Sequence, residues 1–220
     1  FVLAVSAFVN ATAPADWVAT MLEPLGAAQS RCFGAYGGVQ CGYVTYSGQG
    51  TATLWYGSAQ NLVNLSIGQS GWISSAANAI SGDQVVLSAL TSNMTRATLY
   101  SISNQTFLDL TPPGYLSAAM QGCDGTSNTQ VGSGQLMMGA MLMWHGSVAS
   151  AVNLTPPGWI SSAAAGCAGD TQVGNGMAGF MGMGRPFLTH GTPESYVDLT
   201  PAGSVSAGVA GCDATSQVGS

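Results

Sequence analysis

The sequence predicts an all-β fold, a five-bladed β-propeller built from five four-stranded repeats. Three observations carry that prediction. A marker recurs five times at intervals of 43 to 45 residues: a leucine, then proline and glycine, then serine, then a Gln-x-Gly element. The copies begin at Leu22, Leu65, Leu110, Leu154 and Leu199. A period of that length, built from short strands, is what a propeller blade needs. Each copy also resolves into four strand-like runs, in the fourth copy Ala140–Trp144, Ser150–Leu154, Trp159–Ala163 and Thr171–Gly174. Gly146-Ser147, Pro156-Pro157-Gly158 and Gly169-Asp170 punctuate them with turn chemistry. Finally, no window offers a convincing amphipathic helix, and 31 glycines disfavour one.

The organisation follows as one repeat domain over 1–220, with copies at about 1–46, 47–91, 92–134, 135–176 and 177–220. A β-solenoid is the main competitor. Its rungs are typically shorter, and its terminal repeats are usually atypical caps, whereas the last copy here runs in full to Gln217-Val-Gly-Ser220. The N-terminal strands are expected to complete the final blade beside Ser204–Ala207 and Gln217–Gly219.

Composition excludes several functions. Charged residues make up 5% of the chain, its only basic side chains are Arg31, Arg96 and Arg185, and the net charge is −6. Nucleic acid binding and a polybasic membrane patch both need many Lys or Arg side chains. The apolar start, Phe1–Val9 followed by Ala11-Thr-Ala-Pro-Ala15, is similar to the end of a secretory signal. Repeat one needs a strand there, however, so an ordered strand in an exported chain is expected. The segment is too short to cross a bilayer as a helix, and no integral membrane span is expected. Asn10, Asn64, Asn93, Asn104 and Asn153 each open an N-glycosylation triplet. Asn64 and Asn153 also stand where Asp109 and Asp198 stand in other copies, so a repeat position explains them equally. Of five cysteines, Cys32 and Cys41 flank the turn of repeat one and are expected to form a disulfide. Cys123, Cys167 and Cys212 share one repeat position, beyond disulfide reach in adjacent blades, and read as buried small residues.

Leu54-Trp-Tyr-Gly-Ser58 and Met143-Trp-His-Gly-Ser147, the Val-(Asp/Asn)-Leu-x-Pro-x-Gly element, Ser-x-Ala-x-Gly, and the Gln-x-Gly glycines Gly42, Gly132, Gly174 and Gly219 together mark a family likeness. The chain resembles the bacterial extracellular repeats called the HAF family over nearly its whole length. Repeat two departs, with Val85-Val-Leu87 in place of Gln-Val-Gly. The resemblance implies an exported, propeller-like protein and carries over no catalytic residue.

Chemistry is sparse. His145 and His190 occupy one repeat position, read as a tolerant strand end. A glycosidase needs paired carboxylates, yet Asp109 and Asp198 are repeat equivalents, and Asp83, Asp124, Asp170 and Asp213 sit in one recurring turn. Residues repeated with the fold more often build it. Asp124–Asn128 lacks the ligands of a calcium loop. Met137, Met138, Met141, Met143, Met177, Met181 and Met183 read as adaptable packing rather than a copper site. No catalytic residue, metal or cofactor is expected. Trp72, Tyr115 and Trp159 follow the turn glycine in three copies and are the candidate ligand-binding residues, by stacking on sugar rings; packing between blades is the competing role. The recurring serines (Ser30, Ser74, Ser117, Ser161, Ser206) and glutamines (Gln40, Gln84, Gln130, Gln172, Gln217) are expected to satisfy backbone groups. The expected function is a secreted, non-enzymatic binding module with glycans as the leading ligand. The alternative is a self-associating subunit of an extracellular filament or coat.

Overall fold

The computed structural model describes residues 4–5, 19–179 and 184–220. Two short strands, β1 (Ala4–Val5) and β2 (Ala19–Thr20), pair with each other. Four antiparallel meanders follow. The first comprises β3 (Gln29–Tyr36), β4 (Val39–Thr45), β5 (Gly50–Trp55) and β6 (Leu62–Asn64). The second comprises β7 (Trp72–Ser81), β8 (Gln84–Thr91), β9 (Thr95–Ser101) and β10 (Thr106–Asp109). The third comprises β11 (Ser117–Asp124), β12 (Thr129–Gln135), β13 (Gly139–Trp144) and β14 (Val152–Asn153). The fourth comprises β15 (Ser161–Ala168), β16 (Thr171–Met177), β17 (Arg185–Thr189) and β18 (Val197–Asp198). A final pair, β19 (Val209–Cys212) and β20 (Gln217–Gly219), forms a two-stranded sheet.

The sheets are phased half a repeat from the sequence copies: each joins the last two strands of one copy to the first two of the next. The connectors decide this. The paired prolines of Pro112-Pro113-Gly114 and Pro156-Pro157-Gly158 lack the N–H groups a ladder needs, so the strand after each starts a new sheet. In the fourth copy, the run expected over Ser150–Leu154 opens as a 3₁₀ turn (Val148–Ser150), with β14 reduced to two residues. Ser150 Oγ holds that turn, accepting the His145 N–H at 2.8 Å and donating to Ser147 O at 2.6 Å.

Each apolar core lies between neighbouring sheets. Cys41, Ala52 and Leu54 of the first meet Ala77, Val85 and Leu87 of the second. Val86, Ala97 and Leu110 then meet Met120, Leu142 and Trp144, and Val131, Met141 and Leu154 meet Ala164 and Phe187. The marker leucines explain themselves here. Leu65, Leu110 and Leu154 donate their N–H groups to Ala52, Ala97 and Met141, closing the fourth-strand ladder, and their side chains are buried. Each such burial stabilises by about 1.5–3 kcal/mol.

The first strand of each sheet is innermost. A Cβ on Gly122 would stand 3.2 Å from Gly166 Cα, and one on Gly166 would stand 3.6 Å from Gly211 Cα. Every one of these five strands carries a β-bulge, at Phe33, Asn78, Gln121, Ala165 and Ala210, which tightens the local twist.

The bulge also corrects the disulfide expectation. Cys41 opposes Gly34, while past the bulge Cys32 opposes Gly42. Side chains alternate across a strand, so the two cysteines face opposite sides of the sheet. Cys41 enters the core shared with the second sheet, whereas Cys32 packs by Leu22, Val44 and Trp55. Both thiols are free, as are those of Cys123, Cys167 and Cys212.

Candidate functional site

The meanders give the molecule two ends. At one lie the connectors between sheets, the starts of the innermost strands and the second-to-third-strand turns. At the other lie the first-to-second-strand hairpins and the third-to-fourth-strand loops.

The hairpin end is built for structure. Gln40, Gln130 and Gln172, all buried, accept the N–H groups of Gly57, Gly146 and Gly191 at 3.1, 2.8 and 2.7 Å. One bond thus ties the Gln-x-Gly element to the Trp-x-Gly-Ser turn (Thr189-His-Gly-Thr192 in the fourth sheet), where the glycine adopts φ of +78°, +68° or +74°. Asp124 Oδ2 accepts the Gly169 N–H of the next sheet at 2.7 Å, and its Oδ1 takes Thr126 N–H. Burial pushes that carboxyl up, but these bonds and the Ser127 hydroxyl outweigh it and hold it below the usual range. Asp83 is lowered by the Ser101 hydroxyl first, and Asp213 by the Thr215 and Ser216 N–H groups. Every shifted carboxyl among the described residues moves down. His145 Nδ1 stands 3.4 Å from Thr129 Oγ1, and His190 Nδ1 4.0 Å from Asp170 Oδ2. Among the described residues, no three His, Cys, Asp or Glu side chains gather as metal ligands.

The more deeply buried thiols are held neutral. Burial pushes Cys41 and Cys123 up to about 12 and raises Cys167 as well. The sulfurs of Cys123 and Cys167 lie 3.8 Å from the Gln84 and Thr129 carbonyls of the preceding sheets. The neutral thiol is favoured in the folded state. The stability this contributes is full below pH about 9, the unfolded value, and lost as pH climbs toward about 12. A thiol-reactive disulfide reagent at pH 8 is therefore expected to label Cys41 and Cys123 only as fast as the protein opens. Burst labelling of either in the folded protein contradicts the burial.

The three candidate aromatics are half-buried, one per sheet, and do not converge. Trp72 meets Phe107 edge-on at 5.5 Å between centroids. Trp159 meets Phe187 at 5.1 Å and Tyr196 at 5.9 Å. Tyr115 covers Gly134, and Trp159 covers Gly176, where a Cβ would be only 2.6 and 2.7 Å from their rings. Their rings are largely engaged in packing. The methionines divide: Met141 and Met143 are buried, Met137 and Met138 are exposed, and Met181 and Met183 lie outside the described residues. Of the glycosylation triplets, Asn93, Asn104 and Asn153 are exposed, Asn64 is half-exposed, and Asn10 lies outside the described residues. Asn64 and Asn153 accept the N–H two residues on, at 2.8 and 2.9 Å, as Asp109 and Asp198 do.

Sequence reasoning missed one concavity. At the connector end, between the first and second sheets, an open cleft of about 740 Å³ is lined by Gln29, Tyr43, Thr45, Ser74, Ser88 and Thr95 among others. No lining side chain is charged. Tyr43 donates its hydroxyl to Gln29 Oε1 at 3.3 Å, and its ring lies 5.8 Å from that of Phe33. Ser74 is one of the recurring serines, but the others come from two sheets at different positions of the repeat, so no common sequence spacing marks the set.

No family model matches the chain, and no curated protein matches it. Solved structures do. TolB from Acinetobacter baumannii superposes with a TM-score of 0.56 at 12% identity, covering 80% of this chain and 44% of that one. A structure from a study of two prolyl endopeptidases gives 0.58 at 9% identity, covering 85% of this chain and 31% of that one. The fold is a β-propeller. At such identities the likeness is one of fold alone, and this propeller spans less than half the length of either neighbour. No helix among its described residues is long and apolar enough to cross a membrane.

Proposed function

We propose that this propeller is a secreted, non-catalytic binding module, a closed five-bladed ring that takes neutral glycans in the cleft between its first two sheets. The cleft carries the reading. Its volume falls in the range of ligand sites, and its walls offer hydroxyls, a carboxamide and one aromatic ring without a charge. That suits a hydroxyl-rich neutral ligand and disfavours ions. The similarity to HAF repeats supports export, and the sequons at Asn93 and Asn104 fit it.

Support for five blades comes from register. In the complete sheets the fourth strand meets the third at Leu54↔Val63, Met143↔Val152 and Leu188↔Val197, each two residues before the marker leucine. The equivalent pair before Leu22 is Ala4↔Thr20. So β1–β2 carries the register of an outer half-blade, and β19–β20 that of an inner half-blade. Beside β20 runs a groove of about 300 Å³ lined by Pro186, Leu199, Pro201, Val209 and Val218, where a third strand would seat.

A panel of neutral oligosaccharides, followed by calorimetry on any binder, tests the glycan reading. Binding is expected, and Tyr43→Ala is expected to weaken it about tenfold. Absence of any millimolar binder, or indifference to Tyr43→Ala, overturns it.

A further inference from the structure

One residue sets the first junction between sheets apart from the others. Tyr43, Ser88, Ser133 and Asn175 hold one register position, opposite Ala52, Ala97, Met141 and Pro186, whose carbonyls receive the marker leucine N–H groups. In the second, third and fourth sheets that residue is short and reaches across to the next sheet. Ser88 Oγ accepts the Met120 N–H at 3.2 Å, and Ser133 Oγ accepts the Ala164 N–H at 3.3 Å. Asn175 brackets Val209, donating to its carbonyl and accepting its N–H, both at 2.8 Å. In the first sheet the position falls to Tyr43, whose hydroxyl turns back to Gln29 of its own sheet. The same position thus pins three junctions and, at the first, lines the cleft instead.

What fits there follows from the groups left free. A Cβ on Gly50 would stand 3.3 Å from the Tyr43 ring and 3.5 Å from Ser74 Oγ, so this glycine marks the floor where the two walls meet. Several lining hydroxyls are already engaged. Ser74 donates to the Gly50 carbonyl at 3.1 Å, Ser75 Oγ accepts the Ala52 N–H at 2.8 Å, and Ser88 holds Met120. The Gln29 carboxamide is half engaged: its Oε1 accepts from Tyr43, which leaves the Nε2 hydrogens as donors to a ligand. From the second sheet Leu90 lines the same cleft and is 43% exposed. The exposed Tyr46 and Ile73 adjoin the lining residues Thr45 and Ser74 in sequence. A donor amide on one wall and uncovered apolar surface on the other call for a carbonyl next to a methyl.

We infer that the cleft selects N-acetylated neutral sugars, with the acetamido carbonyl accepting from Gln29 Nε2 and the acetamido methyl resting on Leu90. The inference rests on the glycan reading above and narrows it to one class. An acetamido group carries no charge, which suits a lining without charged side chains. A plain hydroxyl in its place can take the hydrogen bond but leaves Leu90 in water, forfeiting the burial of a methyl.

Calorimetry with triacetylchitotriose and cellotriose tests this, since the two trimers differ only by acetamido in place of hydroxyl. The acetylated trimer is expected to bind about tenfold tighter or more. Leu90→Ser is expected to bring the two affinities to within about threefold. Gln29→Met, at an exposed position, reads the same preference from the other wall and is expected to reduce it. Equal binding of the two trimers by the unaltered protein overturns the inference and leaves the glycan reading standing. So does a preference that survives both substitutions in proteins of unchanged melting temperature, or binding confined to sugars without an acetamido group. If no neutral oligosaccharide binds at millimolar concentration, both readings fall.

Discussion

Gly132→Val will unfold the protein at ordinary temperature, and Gly132→Ala will cost about 3 kcal/mol or more. A Cβ at Gly132 would run into the Ala119 carbonyl oxygen and stand 2.9 Å from the Trp144 ring. Neither neighbour can yield. The carbonyl belongs to the adjoining β11, whose pairing is shifted by the bulge at Gln121. The indole is fully buried against the second sheet. The same collision awaits at Gly42, against Arg31 O, and at Gly174, where the Ala163 oxygen and Met141 sulfur both stand 2.6 Å away. Gly139→Ala is the matched control, because its Cβ would meet only Ser162 O at 3.5 Å. Denaturant unfolding of the two alanine variants decides the matter. Equal midpoints would show that the glycine of Gln-x-Gly is a matter of turn chemistry and not of space.

The second large effect lies at the other end of the sequence. Removing residues 1–20 is expected to lower the melting temperature by more than about 10 °C, a loss of roughly 4–5 kcal/mol. In a closed ring β1 would pair along the outer edge of β20, beside the groove lined by Leu199. Without them that edge becomes a template for pairing with other chains, so the truncated protein should also aggregate as it warms. A milder variant reports on the same contact. Val131 pairs with Met143 and Val173 with Leu188, so in a closed ring the same register would set Val218 opposite Ala4. Ala4→Cys with Val218→Cys, in a background where the half-buried Cys32 and Cys212 are replaced by serine, should then oxidise to an intramolecular bridge, visible as a faster-migrating chain. An unshifted melting temperature on truncation, together with no bridge, would remove the closed ring.

Much of the architecture was legible because it repeats. The marker leucines, the Pro-Gly connectors and the turn glycines each recur with one physical job, and recurrence separates such residues from noise. The recurring glutamines were read as satisfying backbone groups, and Gln40, Gln130 and Gln172 do so through a single defined N–H. What the repeat hid was its phase. Any cut through a periodic sequence gives equivalent copies, and only the hydrogen-bond ladders reveal that Ser161 opens a sheet while Leu154 closes one. The Cys32–Cys41 expectation failed on a bulge, which adds one residue and turns a side chain to the far face without a sequence signature. Symmetry also drew attention to Trp72, Tyr115 and Trp159, whose shared position serves packing. The cleft breaks the symmetry: Gln29 and Tyr43 have no like residues in the other copies to draw the eye, so it emerged only from the folded surface.

No sheet in this protein owns a core. Each contributes one face to the cluster before it and the other to the cluster after it, as a brick shares mortar with both neighbours. A lone meander would therefore be two wet faces and no interior. The shortest stretch able to hold together is two adjacent sheets, such as residues 29–109. A chain emerging from the ribosome gains nothing until its second sheet is out, and each sheet thereafter settles on a surface already waiting for it. Lineages that lengthen or shorten such a ring can do so only in whole repeats, since half a period leaves a face with nothing to lie against.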